Sequence, residues 1–272
     1  MSTYKEIKGF KVQTLSSDPV ASGLAGAAWS SGGSLNVGKY WNGRSGAGTQ
    51  TAGLIAGGHN GSGQVGTTES YNGSSWTEVN DLNSVRGLMG GAGADNTSAL
   101  AMGGEDPGAN TAKTESWNGT NWTEVNDLGT ARRGGYGAGV KANAIYAGGR
   151  STVDVAVTEL WNGTNWTEVN DMGTARRNLV GSGQSYTSAV VAGGKDTAVV
   201  AATELWNGTN WTEVADLNFG RIEVVAAGAS NTAVLAFGGI MDNVSDSTES
   251  WNGSNWTEVN QMSRPSGAMR YA

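Results

Sequence analysis

Polar and apolar residues alternate along the chain in four-residue stretches that come in pairs. Residues 158–169 show it most clearly: Thr-Glu-Leu-Trp, then Asn-Gly-Thr-Asn, then Trp-Thr-Glu-Val. Period-two alternation on either side of Asn-Gly predicts two short strands joined by a turn. Asn-Gly favours a two-residue type I′ turn, in which both central residues need positive φ. A four-residue Asn-Gly-Thr-Asn loop is the alternative. Both are even in length, so Glu159, Trp161, Trp166 and Glu168 share one face, and Leu160, Thr167 and Val169 share the other.

The hairpin recurs. Its second aromatic falls at Trp76, Trp122, Trp166, Trp211 and Trp256, in steps of 46, 44, 45 and 45 residues. Trp29 stands 47 residues before Trp76 as a degenerate copy. A glycine- and Trp-marked period near 45 predicts propeller blades of four strands. Helical repeats of that length would need apolar stripes of period 3.6, and none is present. In residues 133–170 the reading is a glycine-rich innermost strand over 133–140, then a second strand over 144–149 that ends in Gly148-Gly149. A variable loop and the hairpin follow. The diglycine recurs at Gly57-Gly58, Gly103-Gly104, Gly193-Gly194 and Gly238-Gly239.

The prediction is therefore an all-β propeller of four-stranded antiparallel blades. The complete units give five blades. Six, with one composite blade built from both terminal segments, is the alternative, because Trp29 has no unit of its own and residues 266–272 resemble the start of another innermost strand. Residues 1–25 form an N-terminal arm and 26–272 the propeller. Both faces of a blade pack on neighbours, so the paired aromatics fill the wide outer gap between blades. Truncating one to Ala is expected to cost about 3–5 kcal/mol. A cation follows each hairpin, at Arg86, Arg132, Arg176, Arg221 and Arg264, with Lys39 in the degenerate copy. Each is expected to pair with a nearby hairpin Glu, across the blade boundary, in an architectural role.

A diglycine, an aromatic twelve or thirteen residues later, a second Trp five residues on and an Arg before the next innermost strand together resemble the kelch repeat. In one unit these are Gly148-Gly149, Trp161, Trp166 and Arg176. The resemblance covers about residues 26–264. The wording of the hairpins is also similar to kelch-like proteins of tailed phages of marine bacteria, whose N-terminal segments resemble residues 4–12. That resemblance implies a virion-associated structural or adhesion role, other virion proteins as partners and no enzymatic activity. The arm residues Tyr4, Lys5, Ile7, Lys8, Phe10 and Lys11 are its candidate anchor, through addition to a partner's sheet edge, or simply a loosely tied terminus.

Composition sharpens this picture. The 272 residues include 44 Gly but only 3 Pro, without a G-X-Y period, so collagen is excluded. Net charge is −7, which disfavours a nucleic-acid partner. With no cysteine, disulfides, thiolate nucleophiles and Cys-ligated metals are excluded. No apolar stretch has signal-peptide form, and none reaches the roughly 18 residues of a membrane helix, so neither classical secretion nor membrane insertion is expected.

No catalytic or cofactor motif stands out. His59 is the one histidine and has no metal-ligating companion. The GxG patterns at Gly46 and Gly137 precede no helix, so they are not dinucleotide fingerprints. Carboxylates in Thr-Glu-x-Trp and Trp-Thr-Glu-Val recur in every unit, whereas a catalytic pair should be unique. Asn-Asp steps such as Asn126-Asp127 lack the spacing of a calcium loop. Catalytic, cofactor and metal residues are therefore expected to be absent. The loops after each diglycine do differ between units. Their candidate binding residues are His59, Asn60, Glu105, Asp106, Arg150, Asp154, Lys195, Asp196, Asp242 and Asp246. Equivalent loops gather on one rim of a propeller. The expected function is adhesion: a propeller present in multiple copies on a virion, binding a host-surface protein or glycan by that rim. The alternatives are a purely structural capsid or tail subunit, and a glycan hydrolase or lyase.

Overall fold

The computed structural model describes residues 32–40, 46–241, 243–263 and 265. Regular structure in them is all β. The first blade comprises β1 (Ala47–Thr49), β2 (Ala52–Ala56), β3 (Thr68–Tyr71) and β4 (Trp76–Val79). The second comprises β5 (Gly90–Asp95), β6 (Ser98–Met102), β9 (Thr114–Trp117) and β10 (Trp122–Val125), with a small ribbon, β7 (Glu105–Asp106) and β8 (Ala109–Asn110), in its loop. The third is β11 (Tyr136–Val140), β12 (Asn143–Ala147), β13 (Thr158–Trp161) and β14 (Trp166–Val169). The fourth is β15 (Val180–Ser185), β16 (Ser188–Ala192), β17 (Thr203–Trp206) and β18 (Trp211–Val214). The fifth is β19 (Val225–Ser230), β20 (Ala233–Phe237), β21 (Thr248–Trp251) and β22 (Trp256–Val259). Within each blade the strands pair in order from inside to outside, all antiparallel. The chain is a five-bladed β-propeller, as the repeat count predicts.

Glycine makes the centre possible. A Cβ on Gly137 of β11 would lie 2.7 Å from the Gly91 carbonyl oxygen of β5, so the innermost strands approach backbone to backbone. The innermost strands of all five blades line a central cavity of about 520 Å³.

The hairpin takes the four-residue form, not the two-residue turn that Asn-Gly favours. Trp161 pairs directly with Trp166, which leaves residues 162–165 as the loop. The reason is the Asn162 side chain. Its Oδ1 accepts from the Thr164 amide at 2.9 Å and the Asn165 amide at 2.8 Å, so one side chain satisfies two loop donors. Only Gly163 then needs positive φ, at 93°. The predicted facing is unchanged, because Glu159 pairs with Glu168 and Leu160 with Thr167.

The aromatics pack as expected. Trp161 and Trp166 have ring centroids 5.4 Å apart, tilted at 44°. Their indoles do different jobs. Trp161 donates within its own blade, to the Lys141 carbonyl at 3.0 Å. Trp166 reaches the preceding blade, donating to Thr114 Oγ1 at 3.1 Å. Trp122, Trp211 and Trp256 repeat that bond to Thr68, Thr158 and Thr203. The opposite face, with Leu160 and Val169, packs against Ala189 and Trp206 of the following blade. Trp161 is only 3% exposed, whereas Trp166 is half-buried. The full truncation penalty therefore belongs to the first Trp of the pair. Trp161→Ala is expected to cost about 3–5 kcal/mol and Trp166→Ala distinctly less, read from urea unfolding midpoints. Equal losses, or an unchanged midpoint for Trp161→Ala, would contradict this packing.

Candidate binding rim

The post-diglycine loops are positioned by the segment that connects one blade to the next. Arg132 shows how. Its backbone carbonyl accepts from the Gly104 amide of the second blade at 2.9 Å. Its Nε donates to the Gly148 carbonyl of the third blade at 3.0 Å, and Nη1 pairs with Glu159 Oε1 on β13. One residue thus ties two diglycines together. The ion pair repeats as Arg86 with Glu115 at 2.9 Å, Arg176 with Glu204 at 2.9 Å, and Arg221 with Glu249, and in Arg86 and Arg221 it is Nη1 that reaches the diglycine carbonyl. The four Arg side chains are fully buried. The expected pairing across the blade boundary holds, with the Glu of the following hairpin. Only the first Glu of each hairpin takes part. The second, such as Glu168, lies on the outer strand and is exposed.

The other carboxylate oxygen of each buried Glu is used as well. Glu159 Oε2 accepts from the Gly129 amide at 2.7 Å, and Glu204 Oε2 from the Gly173 amide at 2.7 Å. The recurrent Asp is also structural: Asp127 and Asp171 cap the amides of Thr114 and Thr158 at 3.1 and 3.2 Å. Glycines complete the clamp. Gly148 and Gly149 have φ of 64° and 108°, and a Cβ on either would lie 2.8 Å or less from a backbone oxygen or methionine carbon of the clamp region.

With the connectors held, the residue after each clamp cation pairs with the residue after the next diglycine. The bridges are Tyr40 with His59, Gly87 with Glu105, Arg133 with Arg150, Arg177 with Lys195, and Ile222 with Ile240. Variable loops and connectors therefore share one end of the propeller, and the Asn-Gly hairpin loops lie at the other. At the loop end, Leu88, Gly134, Asn178 and Glu223 all have positive φ, between 55° and 67°. Gly134 N donates to Leu88 O at 2.8 Å, Asn178 N to Gly134 O at 2.7 Å and Glu223 N to Asn178 O at 3.4 Å. This blade-to-blade chain of bonds gives the rim a rigid base.

The structure brings part of the predicted set together. Arg177 Nη1 donates to both carboxylate oxygens of Asp154, which also pairs with Arg150 at 3.2 Å. Glu105 pairs with Arg133. Asn110 Nδ2 links the second and third loops, reaching the carbonyls of Arg150 at 3.0 Å and Ser151 at 2.7 Å. Asp106 is half-buried in the β7–β8 ribbon. Lys195 holds the fourth loop through its backbone. The Asp196 carboxyl sits below its ordinary range, chiefly through the hydrogen bond from the Ala198 amide.

Other positions organise their own loops. His59 Nδ1 accepts from the Gly61 amide at 3.0 Å, and its ring lies 4.8 Å from that of Tyr40. Asn60 Oδ1 caps the amides of Ser62 and Gly63 at 2.9 and 3.1 Å. Asp246 accepts from the Met262 amide through its backbone, which places it beside the connector rather than at a loop tip. Asp242, Arg264, Trp29, residues 266–272 and the arm residues 4–12 lie outside the described residues. Sequence reasoning missed Arg133, Arg177 and Asn110. The Arg-Arg doublets at 132–133 and 176–177 were the available sign, since the second Arg has no equivalent at Gly87 or Ile222.

Among the described residues no three His, Cys, Asp or Glu side chains stand close enough to hold a metal ion. No protein-family model matches the chain, and no curated protein matches it.

The first blade carries a variant clamp with a pH signature. Lys39 replaces Arg, 3.6 Å from buried Glu69. Burial pushes the Glu69 carboxyl up. Amide bonds from Asn36 and Val37, the Asn36 side chain and the Lys39 charge outweigh it and hold the carboxyl below its ordinary value. A depressed carboxyl contributes stability above its unfolded pKa and loses it as pH falls through the folded pKa. Glu69→Gln should therefore be less stable than the parent chain near neutrality. The gap should shrink once the pH drops below the ordinary carboxylate range of about 4. Urea unfolding at both pH values measures it, and a gap that widens in acid would be the wrong sign.

Proposed function

We propose that this propeller is a non-enzymatic adhesion protein of kelch-like type. It is carried in multiple copies on a phage particle and binds a host-surface protein or glycan through its loop rim. The observation that carries this reading is a contrast. The clamp, the Trp pairs and the hairpin caps repeat from blade to blade with nearly the same atoms. The rim side chains Glu105, Arg133, Arg150, Asp154 and Arg177 differ between blades, yet two ion pairs that cross between loop and connector, and one within the third loop, hold them in place. A polar surface that is both varied and ordered loses little entropy on binding. Its mixture of guanidinium and carboxylate groups suits sugar hydroxyls or a charged protein surface. Many copies on one particle would turn weak single contacts into firm attachment.

The resemblance of the hairpins to phage kelch-like proteins supports the virion setting. The buried carboxylates weigh against a hydrolase, because each is occupied by a guanidinium or ammonium and backbone amides. The test is binding of the purified chain to a glycan array and to intact host cells, alongside an Asp154→Ala/Arg177→Ala variant. Binding that falls at least about tenfold in the variant, with an unchanged melting temperature, is expected. Binding that survives the double substitution moves the site off this rim. No binding to either target favours a purely structural subunit.

A further inference from the structure

The chain is acidic, with a net charge of −7, yet its cations are not spread evenly. One carboxylate per blade, at Glu78, Glu124, Glu168, Glu213 and Glu258, stands exposed on the outermost strands. Among the described residues the cations outside the clamp are Lys113, Arg133, Lys141, Arg150, Arg177 and Lys195. The last two pairs of bridge residues among these, Arg133 with Arg150 and Arg177 with Lys195, meet at the loop end of the third and fourth blades. The other bridges, Tyr40 with His59, Gly87 with Glu105 and Ile222 with Ile240, carry no Lys or Arg. The exposed positive charge is thus confined to one arc of the rim.

Within that arc the cations form one row. Asp154 joins the two bridges, since it pairs with Arg150 at 3.2 Å and with Arg177 at 2.5 Å. Two guanidiniums share one carboxylate, which leaves a positive charge uncompensated. Glu105 balances Arg133 at one end of the row. At the other end Asp196 is turned into its own loop, where the Ala198 amide caps it at 2.9 Å. Each guanidinium spends only Nη1 on these partners. Nε and Nη2 of all three, and Nζ of Lys195, donate to no described residue. The three guanidinium side chains are 23–35% exposed, so their remaining donors are within reach of a ligand. Two N–H groups on one edge of a guanidinium match both oxygens of a carboxylate.

The row has no aromatic side chain at 105–110, 133, 150–154, 177 or 195–196. It therefore lacks both a stacking platform for an uncharged ring and the aromatic anchor of a protein hot spot. Charge has to supply the affinity. The acceptors Glu105, Asp154 and Asp196 interleave with the cations. They would repel a polymer that carries only carboxylates, and they suit one whose carboxylates are flanked by hydroxyl donors. We propose that the ligand of this rim is an acidic polysaccharide, and that Arg133, Arg150, Arg177 and Lys195 bind the carboxylates of its uronic-acid units. The inference rests on the adhesion reading of the rim and narrows it to one ligand class. The exposed outer-strand Glu residues repel such a polymer along the sides of the propeller and steer it to this arc.

Calorimetric titration of the full chain with fragments of polygalacturonate, alginate and hyaluronate tests this, with polyglutamate and the methyl ester of the fragment that binds as comparators. At least one uronate polymer should bind, at least about tenfold more tightly than its uncharged ester. Binding should weaken between 50 and 200 mM salt, both values chosen at about the Debye lengths that screen exposed charge. Arg150→Gln leaves the Arg177–Asp154 pair in place and should weaken binding at least about tenfold. If that variant does not fold, Lys195→Gln decides, with an expected loss of at least about threefold. Equal affinity for the ester, unchanged affinity in a folded variant, or tighter binding of polyglutamate overturns the proposal. Attachment to host cells or neutral glycans without any uronate binding overturns it and leaves the adhesion reading standing. No binding to any of these targets removes both.

Discussion

The buried Arg–Glu clamp is the constraint on which the rest of the propeller depends. A blade is a small sheet with two apolar faces, and nothing within it sets its distance or angle to the next. The clamp does so at one point. The Arg carbonyl holds the diglycine of the blade behind, and the guanidinium holds the diglycine and the Glu of the blade ahead. Burying a guanidinium is costly, and burial does lower the pKa of Arg86, Arg176 and Arg221 against the opposing charge of their Glu partners. The cost is offset in part because the carboxylate and backbone carbonyls take up Nη1 and Nη2, while the buried Nε of these three has no hydrogen-bond partner. Such a pair adds geometric specificity more than net stability.

Other features of the repeat follow from that fixed spacing. The diglycine must be glycine because the clamp brings backbone within reach of any Cβ there. The innermost strands must be poor in side chains because the blades converge on the cavity. The outer gap, where blades diverge, needs the largest side chains available, and the tilted Trp pair fills it while bonding to the blade behind. With this much of each repeat committed to architecture, the loops beyond the diglycine are the part left free to vary. Even there, the connector residue beside the clamp supplies the Arg133 and Arg177 that order neighbouring loops.

Much of this was legible in the sequence because it repeats. Trp spacing, the diglycine and the recurring Arg each appear five times or nearly so, and repetition turns a weak local pattern into a reliable ruler. The facing of Glu159 and Trp161 followed from strand alternation alone. The turn type did not, because the choice between two and four residues rests on whether Asn162 caps the loop with its side chain, and both options share one sequence. The rim was harder still. Asp154 was singled out, but its partner Arg177 lies 23 residues away on a connector, and only the bridge between connector and loop brings them together. The inequivalence of the two hairpin Glu residues was hidden for a similar reason: the clamp reaches the third strand of a blade and not the fourth.

The most direct test of the clamp is a double-mutant cycle on Arg176 and Glu204 in urea unfolding, using Arg176→Met, Glu204→Leu and the two together. Each single change leaves a buried charge without its counterpart and should cost about 3–5 kcal/mol. The double variant, with both charges gone, should lose far less than the sum, leaving a coupling energy of roughly 2 kcal/mol or more. Additive losses would contradict the central role given to this pair.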